Sequence, residues 1–169
     1  MKIIDYDARV HMASVRDCVV DLQDHERSLD SRLPPGLDIV DACLPEMIRR
    51  CAQSDGKVLV AEDDGKVAGF VTVLTKVSSG ELQDGDREYA LISDLIVRAS
   101  YRRQGLGQRL LDAAEQFAQS KQVSCMRIGV LAGNIAAEEL YATNGYRTLF
   151  SELEKDLSKT AQHSDASLE

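Results

Sequence analysis

Two glycines one residue apart interrupt the segment YRRQGLGQRL, between an apolar run and a helical pattern. A glycine within a helix or strand costs roughly 0.5–1 kcal/mol, so Gly105 and Gly107 indicate a loop whose backbone requires them. The order strand, loop, helix aims main-chain N–H groups and the positive end of a helix dipole at one point. The segment therefore predicts a site for an anion, with room for a phosphate to approach the main chain.

The spacing excludes two common phosphate-binding loops. No Gly-Lys-Ser/Thr follows, which excludes a Walker A loop, and Leu110 occupies the position of the third glycine in Gly-x-Gly-x-x-Gly. A dinucleotide-binding fold would also place this loop after its first strand. The remaining pattern is Arg-x-x-Gly-x-Gly, at Arg102, Gly105 and Gly107.

The N-terminal half of the chain predicts two helices and a hairpin. Apolar residues at helical spacing mark helices over residues 11–29 and 37–51, with the breaker DSRLPPG between them. Pro45 implies that the second helix starts or kinks there. Two β-rich runs then flank Asp64-Gly65, a dipeptide that favours a hairpin turn.

The C-terminal half alternates strands and helices. Residues 88–97 are almost continuously apolar, as in a strand covered on both faces. The later patterns predict a helix ending near Lys121, a strand over 123–131, a short helix over 135–145 and one or two final strands over 146–157. Residues 158–169 have no periodicity and are predicted to be disordered. The predicted fold class is therefore α/β, with one domain over residues 1–157 and a mixed sheet.

Composition narrows the functional classes. The 28 acidic and 20 basic residues give a net charge of −8, which argues against a nucleic-acid partner, because such proteins need a basic surface. The sequence has no run of about 18 apolar residues to span a membrane, and its start, MKIIDYDARV, lacks the apolar core of a secretory signal. We therefore expect a cytoplasmic protein with no membrane partner.

The four cysteines argue against disulfides and against a metal site. Cys18, Cys43, Cys51 and Cys125 form no Cys-x-x-Cys pair, and the three histidines add no metal-binding spacing. Each cysteine has apolar neighbours in the sequence, so we expect buried free thiols and no bound metal.

The glycine segment and a second motif resemble the GNAT superfamily of N-acetyltransferases, which bind acetyl-CoA with Arg-x-x-Gly-x-Gly. The second motif is NIAAEELYATNGYR, in which Asn134 precedes Tyr141 by seven residues and a glycine and an aromatic residue follow. SDLIVRASY resembles the fourth strand of the family, and the similarity covers about residues 57–150. It implies a single GNAT-type domain, with a mostly antiparallel sheet flanked by helices, and an acyltransferase that uses acetyl-CoA.

The resemblance also implies roles by position. Main-chain groups of Leu95, Ile96 and Val97 would pair with the pantetheine arm, unless these residues are only core. Asn134 would hydrogen-bond the cofactor, or act only as the N-cap of its helix. Tyr141 would face the thioester sulfur and protonate the leaving thiolate, unless it is only a packed aromatic. The pyrophosphate would be held by the loop of Arg102, Arg103, Gln104, Gly105, Leu106, Gly107 and Gln108.

The sequence leaves the general base open. Where the family often has two acids before a leucine in its fourth strand, this chain has Ser93-Asp94-Leu95. Asp94 and Glu88 are candidates, since they are six residues apart and would share one face of a regular strand. Water or another carboxylate is the third possibility, and Glu88 is otherwise explained as an exposed carboxylate at a strand end.

The acceptor amine is expected near LDSRLPPGL, the connection between the first two helices, because the resemblance implies that this region walls the acceptor site. Arg32 would hold a substrate carboxylate and Glu26 or Asp30 an ammonium, unless all three form a solvated helix end. The prolines favour a semi-rigid lid over a protein-docking groove.

These expectations combine into an N-acetyltransferase that moves the acetyl group of acetyl-CoA to a primary amine of a small molecule by direct attack. Acetyl-CoA would act as cosubstrate. Acetylation of a protein Nα or lysine amine, and CoA binding without catalysis, are the alternatives. A homodimer is expected because members of the family often dimerise.

Overall fold

A computed structural model describes residues 1–78 and 87–157, and the predicted disordered tail lies outside these ranges. The strands are β1 (Lys2–Asp5), β2 (Lys57–Asp63), β3 (Lys66–Val77), β4 (Tyr89–Val97) and β5 (Met126–Ile128). The helices are α1 (Ala8–Leu29), α2 (Gly36–Gln53), α3 (Leu106–Ser120) and α4 (Ile135–Thr143), with a 3₁₀ turn at Ala99–Tyr101.

The five strands form one sheet in the order β1-β2-β3-β4-β5. The first three pairings are antiparallel, and β4 pairs with β5 in parallel. This confirms the α/β class with a mixed, mostly antiparallel sheet flanked by helices. Within residues 1–78 and 87–157, no helix is long and apolar enough to cross a membrane.

Local sequence explains where the first elements begin and turn. The Asp7 side chain accepts a hydrogen bond from the main-chain N–H of Arg9 at 2.9 Å, which caps the N-terminus of α1. Asp64 and Gly65 both have positive φ, at 47° and 77°, which matches the tight turn that joins β2 to β3. The predicted hairpin is therefore confirmed.

The sheet buries a separate apolar cluster on each face. On one face, α1 and α2 cover residues such as Phe70 and Leu74 of β3. On the other face, α3 places Leu110 and Leu111 against Val71. All five of these side chains are almost completely buried, so both faces of β3 belong to the core and β3 is the central strand.

Strand β4 contains one extra residue at Ser93, because consecutive residues of β3 pair with Ile92 and Asp94. Such a bulge reverses the alternation of side chains beyond it. Ile92 packs in the α3 cluster, and after the bulge Leu95 packs there while Ile96 joins the cluster under α1 and α2. Asp94 is therefore turned toward the face of the sheet that α1 and α2 cover.

Several predicted boundaries are wrong for identifiable reasons. β1 was not expected from the sequence: it has only four residues and depends on pairing with β2, more than 50 residues away. The strand predicted over 123–131 is limited to β5, because only Met126–Ile128 pairs with β4. No strand forms over 146–157 in the described structure, so the final strands are also wrong.

Pro45 and two of the cysteines also differ from expectation. α2 starts at Gly36 and continues through Pro45, so this proline does not begin the helix. All four cysteines are free, as expected, but only Cys18 and Cys51 are buried. Cys43 and Cys125 are exposed, because an apolar neighbour in sequence does not fix the direction of a side chain.

Gly69 of β3 tests how tightly β3 packs on β4. A Cβ atom at this position would lie 2.3 Å from the Ile96 carbonyl oxygen and 3.2 Å from the Val97 Cα. Because both are main-chain atoms, we predict that Gly69→Ala lowers the free energy of unfolding by about 1–3 kcal/mol. Gly129→Ala is the control, since its Cβ would meet nothing within 4 Å. Equal urea midpoints for the two variants would contradict this packing.

Candidate functional site

A cavity of about 620 Å³ opens where β4 and β5 separate. The two strands pair only from Ala90 to Ile92 on β4, so β4 continues from Ser93 to Val97 with β3 on one side and the cavity on the other. After β5, the chain lines the opposite wall at Gly129, Val130 and Leu131. Main-chain groups on an open strand edge can pair with an extended ligand.

The glycine loop closes one end of this cavity. Arg103 and Gly105 have positive φ, at 61° and 74°, and Gly105 is the N-cap of α3. Among the described residues, no main-chain N–H from Arg103 to Gln108 donates a hydrogen bond, and the first helical bond runs from Arg109 N to the Gly105 oxygen. These N–H groups and the α3 dipole form the type of anion site predicted for this segment.

Gly107 has a packing reason that the sequence did not indicate. A Cβ atom there would lie 3.2 Å from Cδ2 of Leu140 in α4, so the bare Cα lets α3 and α4 approach. Gly105 differs, because a Cβ would meet nothing within 4 Å and its positive φ is what favours glycine.

The remaining loop residues divide between the cavity and structural contacts. Arg102 lines the cavity and also donates from Nε to the Val97 carbonyl oxygen at 3.0 Å, which fixes the end of β4. Gln108 lines it as well and hydrogen-bonds Asn144. Gln104 does not line the cavity, and its amide donates to the Ser100 carbonyl oxygen at 3.3 Å.

Asn134 and Tyr141, the two ends of the second motif, both line the cavity. Asn134 caps α4, since its Oδ1 accepts from the Ala137 N–H at 3.3 Å. Burial, followed by the negative charge of Glu26, raises the pKa of Tyr141 to about 12. The phenol is therefore protonated at neutral pH and can donate a proton into the cavity.

Two carboxylates line the same cavity from different elements. Asp94 extends from β4 beyond the bulge, and its Oδ2 accepts a hydrogen bond from the Ser93 hydroxyl at 2.6 Å. Burial raises the pKa of Asp94, although the Ser93 hydrogen bond opposes this. Glu26 lies in the last turns of α1, and burial together with the charge of Asp94 raises its pKa. These two groups would share a cation or accept a proton more readily than exposed acids do.

Glu88 is separated from this arrangement. It is exposed and lines a different, small cavity beside Asp55 and Lys121. The expectation that Glu88 and Asp94 share a face is wrong, because the bulge at Ser93 reverses the alternation between them.

The connection between α1 and α2 does not line the cavity either. Arg32 binds Asp30 through Nη2 at 2.6 Å and Glu154 through Nη1 at 2.7 Å, and Arg32 holds the pKa of Asp30 down at about 2. Arg27 donates to the carbonyl oxygens of Ser31 and Leu33, which folds the connection back onto α1. Of the three acceptor residues expected from the sequence, only Glu26 lines the cavity.

Sequence reasoning offered Glu26 as a group to hold the ammonium but not by name as the base, and it did not consider His25, which also lines the cavity. Cys18, Leu22 and Glu26 follow one another at intervals of four residues, so they share one face of α1. An acid on the apolar stripe of a helix is a candidate for a buried functional group.

Arg98, just beyond β4, binds Asp21 of α1 at 3.2 Å and fixes the helix against the sheet.

Comparison with known proteins agrees with this geometry. The model of the acetyltransferase (GNAT) family matches residues 24–146. An uncharacterized N-acetyltransferase, YhfO, of Bacillus subtilis is 32% identical over 97 residues, which is 57% of this chain and 62% of that protein. The chloroplastic GCN5-related N-acetyltransferase 4 of Arabidopsis thaliana is 30% identical over 135 residues, 69% of this chain and 45% of that protein. The chain thus spans about half of the length of the curated relatives it matches.

Solved structures share the fold at low sequence identity. A tetramutant of the BH1408 protein of Bacillus halodurans superposes on this chain with a TM-score of 0.79 at 19% identity. The superposition covers 93% of this chain and 100% of that protein. The aminoglycoside N-acetyltransferase AAC(6')-Iy, in complex with CoA, superposes with a TM-score of 0.61 at 15% identity over 92% of this chain and 98% of that one.

From the raised pKa of Asp94 we predict how the free energy of unfolding depends on pH. At a pH between 3.8, the usual pKa of Asp94, and its higher pKa in the folded chain, the carboxyl is ionised in the unfolded chain but still protonated in the folded chain. Asp94 therefore lowers the free energy of unfolding as pH rises through this interval. Asp94→Asn should gain stability relative to the parent between pH 4 and pH 8, measured by urea unfolding.

Asp55→Asn is a control for which we expect the opposite change in stability. A hydrogen bond from Lys121 lowers the pKa of Asp55, so this carboxylate stabilises the fold above its usual pKa and the contribution is lost as pH falls. The Asp55 variant should therefore lose stability relative to the parent at pH 8. A difference between the Asp94 variant and the parent that does not change with pH would contradict the burial of Asp94.

Proposed function

Because the chain belongs to the GNAT acetyltransferase family, we propose that it transfers the acetyl group of acetyl-CoA to a primary amine of a small molecule by direct attack. The observation that carries the proposal is that one cavity combines free main-chain N–H groups, a protonated Tyr141 and two carboxylates, Glu26 and Asp94. An anion site and an acid–base pair in one cavity are what this transfer requires.

The residues present fit acetyl-CoA. The N–H groups from Arg103 to Gln108 would hold the pyrophosphate, with Arg102 beside them. The open edge of β4 from Leu95 to Val97, including Ile96, would pair with the pantetheine arm. Asn134 keeps its cap and still lines the wall, so it is assigned to the same ligand.

When bound, acetyl-CoA supplies an acetyl thioester that a neutral amine can attack. A primary amine of pKa about 10.4 is protonated at pH 7, and removing that proton costs roughly 4–5 kcal/mol. Glu26 and Asp94, which both line the cavity, would hold the ammonium and accept its proton, directly or through water. The Tyr141 hydroxyl keeps its proton at neutral pH and would donate it to the leaving thiolate.

A small cationic acceptor is favoured by the position of the carboxylates. Asp94 is partly buried at the wall of the cavity, and that burial raises its pKa. The adjacent carboxylate of Glu26 adds to the negative potential there. A compact ammonium can enter such a space more readily than a lysine of a folded protein.

The function is tested by release of free CoA from acetyl-CoA with a panel of small amines, beside peptides with a free N-terminus or a lysine. We predict turnover with a small amine. We also predict that Gly105→Glu abolishes the thermal stabilisation by acetyl-CoA, because it places a negative side chain where the pyrophosphate would bind. In the parent, a ligand at a hundredfold excess over its Kd adds about 2.7 kcal/mol to the free energy of unfolding.

Gly65→Glu is the matched control for this variant. Gly65 also has a positive φ with nothing within 4 Å of its Cβ position, but it lies in the β2–β3 turn outside the cavity. It should keep the thermal shift. An unchanged shift in Gly105→Glu would move the cofactor site elsewhere, turnover only with peptides would favour a protein acceptor, and binding without any turnover would favour a CoA-binding module.

The base is tested by comparing two glutamates. Glu26→Gln should lower kcat/KM for the best amine roughly tenfold to a hundredfold, because it removes a proton acceptor from the cavity while keeping the side-chain shape. Glu88→Gln should leave kcat/KM unchanged, since Glu88 is exposed and outside this cavity. The reverse ranking would assign the base to Glu88.

A further inference from the structure

Helix α4 connects two residues of the candidate site, with Asn134 as its N-cap and Tyr141 in its last turn. The helix has nine residues, and none of them is buried. Leu140 and Tyr141 are partly buried against the cluster beneath α3. A helix of this length is marginal in water on its own, so the position of Tyr141 depends on contacts between α4 and other elements.

A pair of amide side chains joins α4 to α3. Asn144, the C-cap of α4, donates from Nδ2 to Gln108 Oε1 at 2.6 Å, and Gln108 Nε2 donates back to Asn144 Oδ1. Asn144 Nδ2 also donates to the Leu140 carbonyl oxygen within α4, at 2.7 Å. Gln108 Nε2 also donates to Asp112 Oδ1 within α3, at 2.7 Å. Because an amide group has two N–H donors, all four donors of the pair are used and each side chain is held in one orientation.

The two helices approach closely on both sides of this pair. Cδ2 of Leu140 lies 3.2 Å from the position that a Cβ atom of Gly107 would take. Tyr146, just after α4, donates its hydroxyl to Glu115 Oε1 of α3 at 3.1 Å. An apolar contact tolerates sliding, whereas reciprocal hydrogen bonds require one geometry. The amide pair therefore sets the register between α3 and α4.

Gln108 belongs to the glycine loop as well as to this interface. Its main-chain N–H is among those that donate no hydrogen bond in the described part of the chain, and its side chain holds Asn144. Asn144 in turn donates its main-chain N–H to the Tyr141 carbonyl oxygen at 3.1 Å. One residue thus links the anion site at the start of α3 to the turn of α4 that carries the proposed acid.

We propose that Gln108 and Asn144 are positioning residues that hold the Tyr141 hydroxyl at a fixed distance from the glycine loop. The inference rests on the proposed acetyl transfer, in which Tyr141 protonates the leaving thiolate. A cofactor held at its pyrophosphate would present its sulfur at one place along the cavity, so the acid must keep the same spacing from the loop. A misplacement of about 1 Å can lower a rate roughly a hundredfold.

The test compares Gln108→Ala, Asn144→Ala and the double variant with Gln119→Ala. Gln119 is the matched control, because it is exposed on the same helix and does not line the cavity. Each single variant of the pair should lower kcat with the best amine roughly tenfold and change the Kd of acetyl-CoA less than about twofold, since the main-chain donors of the loop remain. The double variant should lose no more than either single variant, because both remove the same contact. Gln119→Ala should match the parent.

Hydrogen exchange of α4 gives a readout that does not depend on turnover. In Gln108→Ala, the amides of residues 135–143 should exchange roughly tenfold faster than in the parent, while those of β4 keep their rates. Gln119→Ala should leave the exchange of both elements unchanged. If the parent releases no CoA with any amine, the proposed function fails, and the exchange of α4 alone decides whether the amide pair holds this helix.

Three results would overturn the proposal. The first is an unchanged kcat, or unchanged exchange of α4, in Gln108→Ala, which keeps the C-cap of α4 and removes the link to α3. The second is a weaker affinity for acetyl-CoA at constant kcat, which would make Gln108 a binding residue. The third is additive losses in the double variant, because the two side chains would then act separately. If Asn144→Ala does not fold, Gln108→Ala decides the question alone.

Discussion

The separation of β4 from β5 is the constraint on which the site depends. The two strands pair over three residues and then diverge, so one edge of β4 remains open between the sheet core and α4. The bulge at Ser93 lies where they part and turns Asp94 toward α1. Without this bulge, Asp94 would face α3 and Glu26 would have no acidic neighbour on the strand.

The electrostatics of the cavity follow from the same arrangement. Burial raises the pKa of Tyr141, Asp94 and Glu26, and negative charge on Glu26 adds to the shift at Tyr141. A phenol that keeps its proton and carboxylates that take up protons more readily than usual therefore line one space. This is the pairing of acid and base that the proposed transfer needs.

The sequence was most informative where function depends on short, local patterns. The glycine loop, the Asn134–Tyr141 spacing and the hairpin at Asp64-Gly65 are each determined by neighbouring residues, and the structure has a helix N-terminus, a capped helix and a tight turn at these positions. The resemblance of the two motifs to the GNAT superfamily is confirmed by the match over residues 24–146.

Features that depend on distant contacts could not be read from the sequence. A bulge depends on the register between two strands, which the sequence of one strand does not give. The six-residue spacing therefore predicted that Glu88 and Asp94 share a face, whereas the bulge at Ser93 reverses the alternation between them. Glu26 gains its cavity position from the packing of α1 against β4. Residues 146–157 have a strand-like composition, but no strand forms there in the described part of the chain.

The proposed proton donation by Tyr141 gives the most direct test of the acetyl transfer. Tyr141→Phe removes the hydroxyl but keeps the ring, whose centroid lies 6.0 Å from that of the Tyr146 ring. We predict that kcat with the best amine falls roughly tenfold to a hundredfold while the Kd of acetyl-CoA changes little, because the hydroxyl acts mainly in the transition state. An unchanged kcat, under conditions where the chemical step limits the rate, would contradict this role and leave Tyr141 as a packing residue.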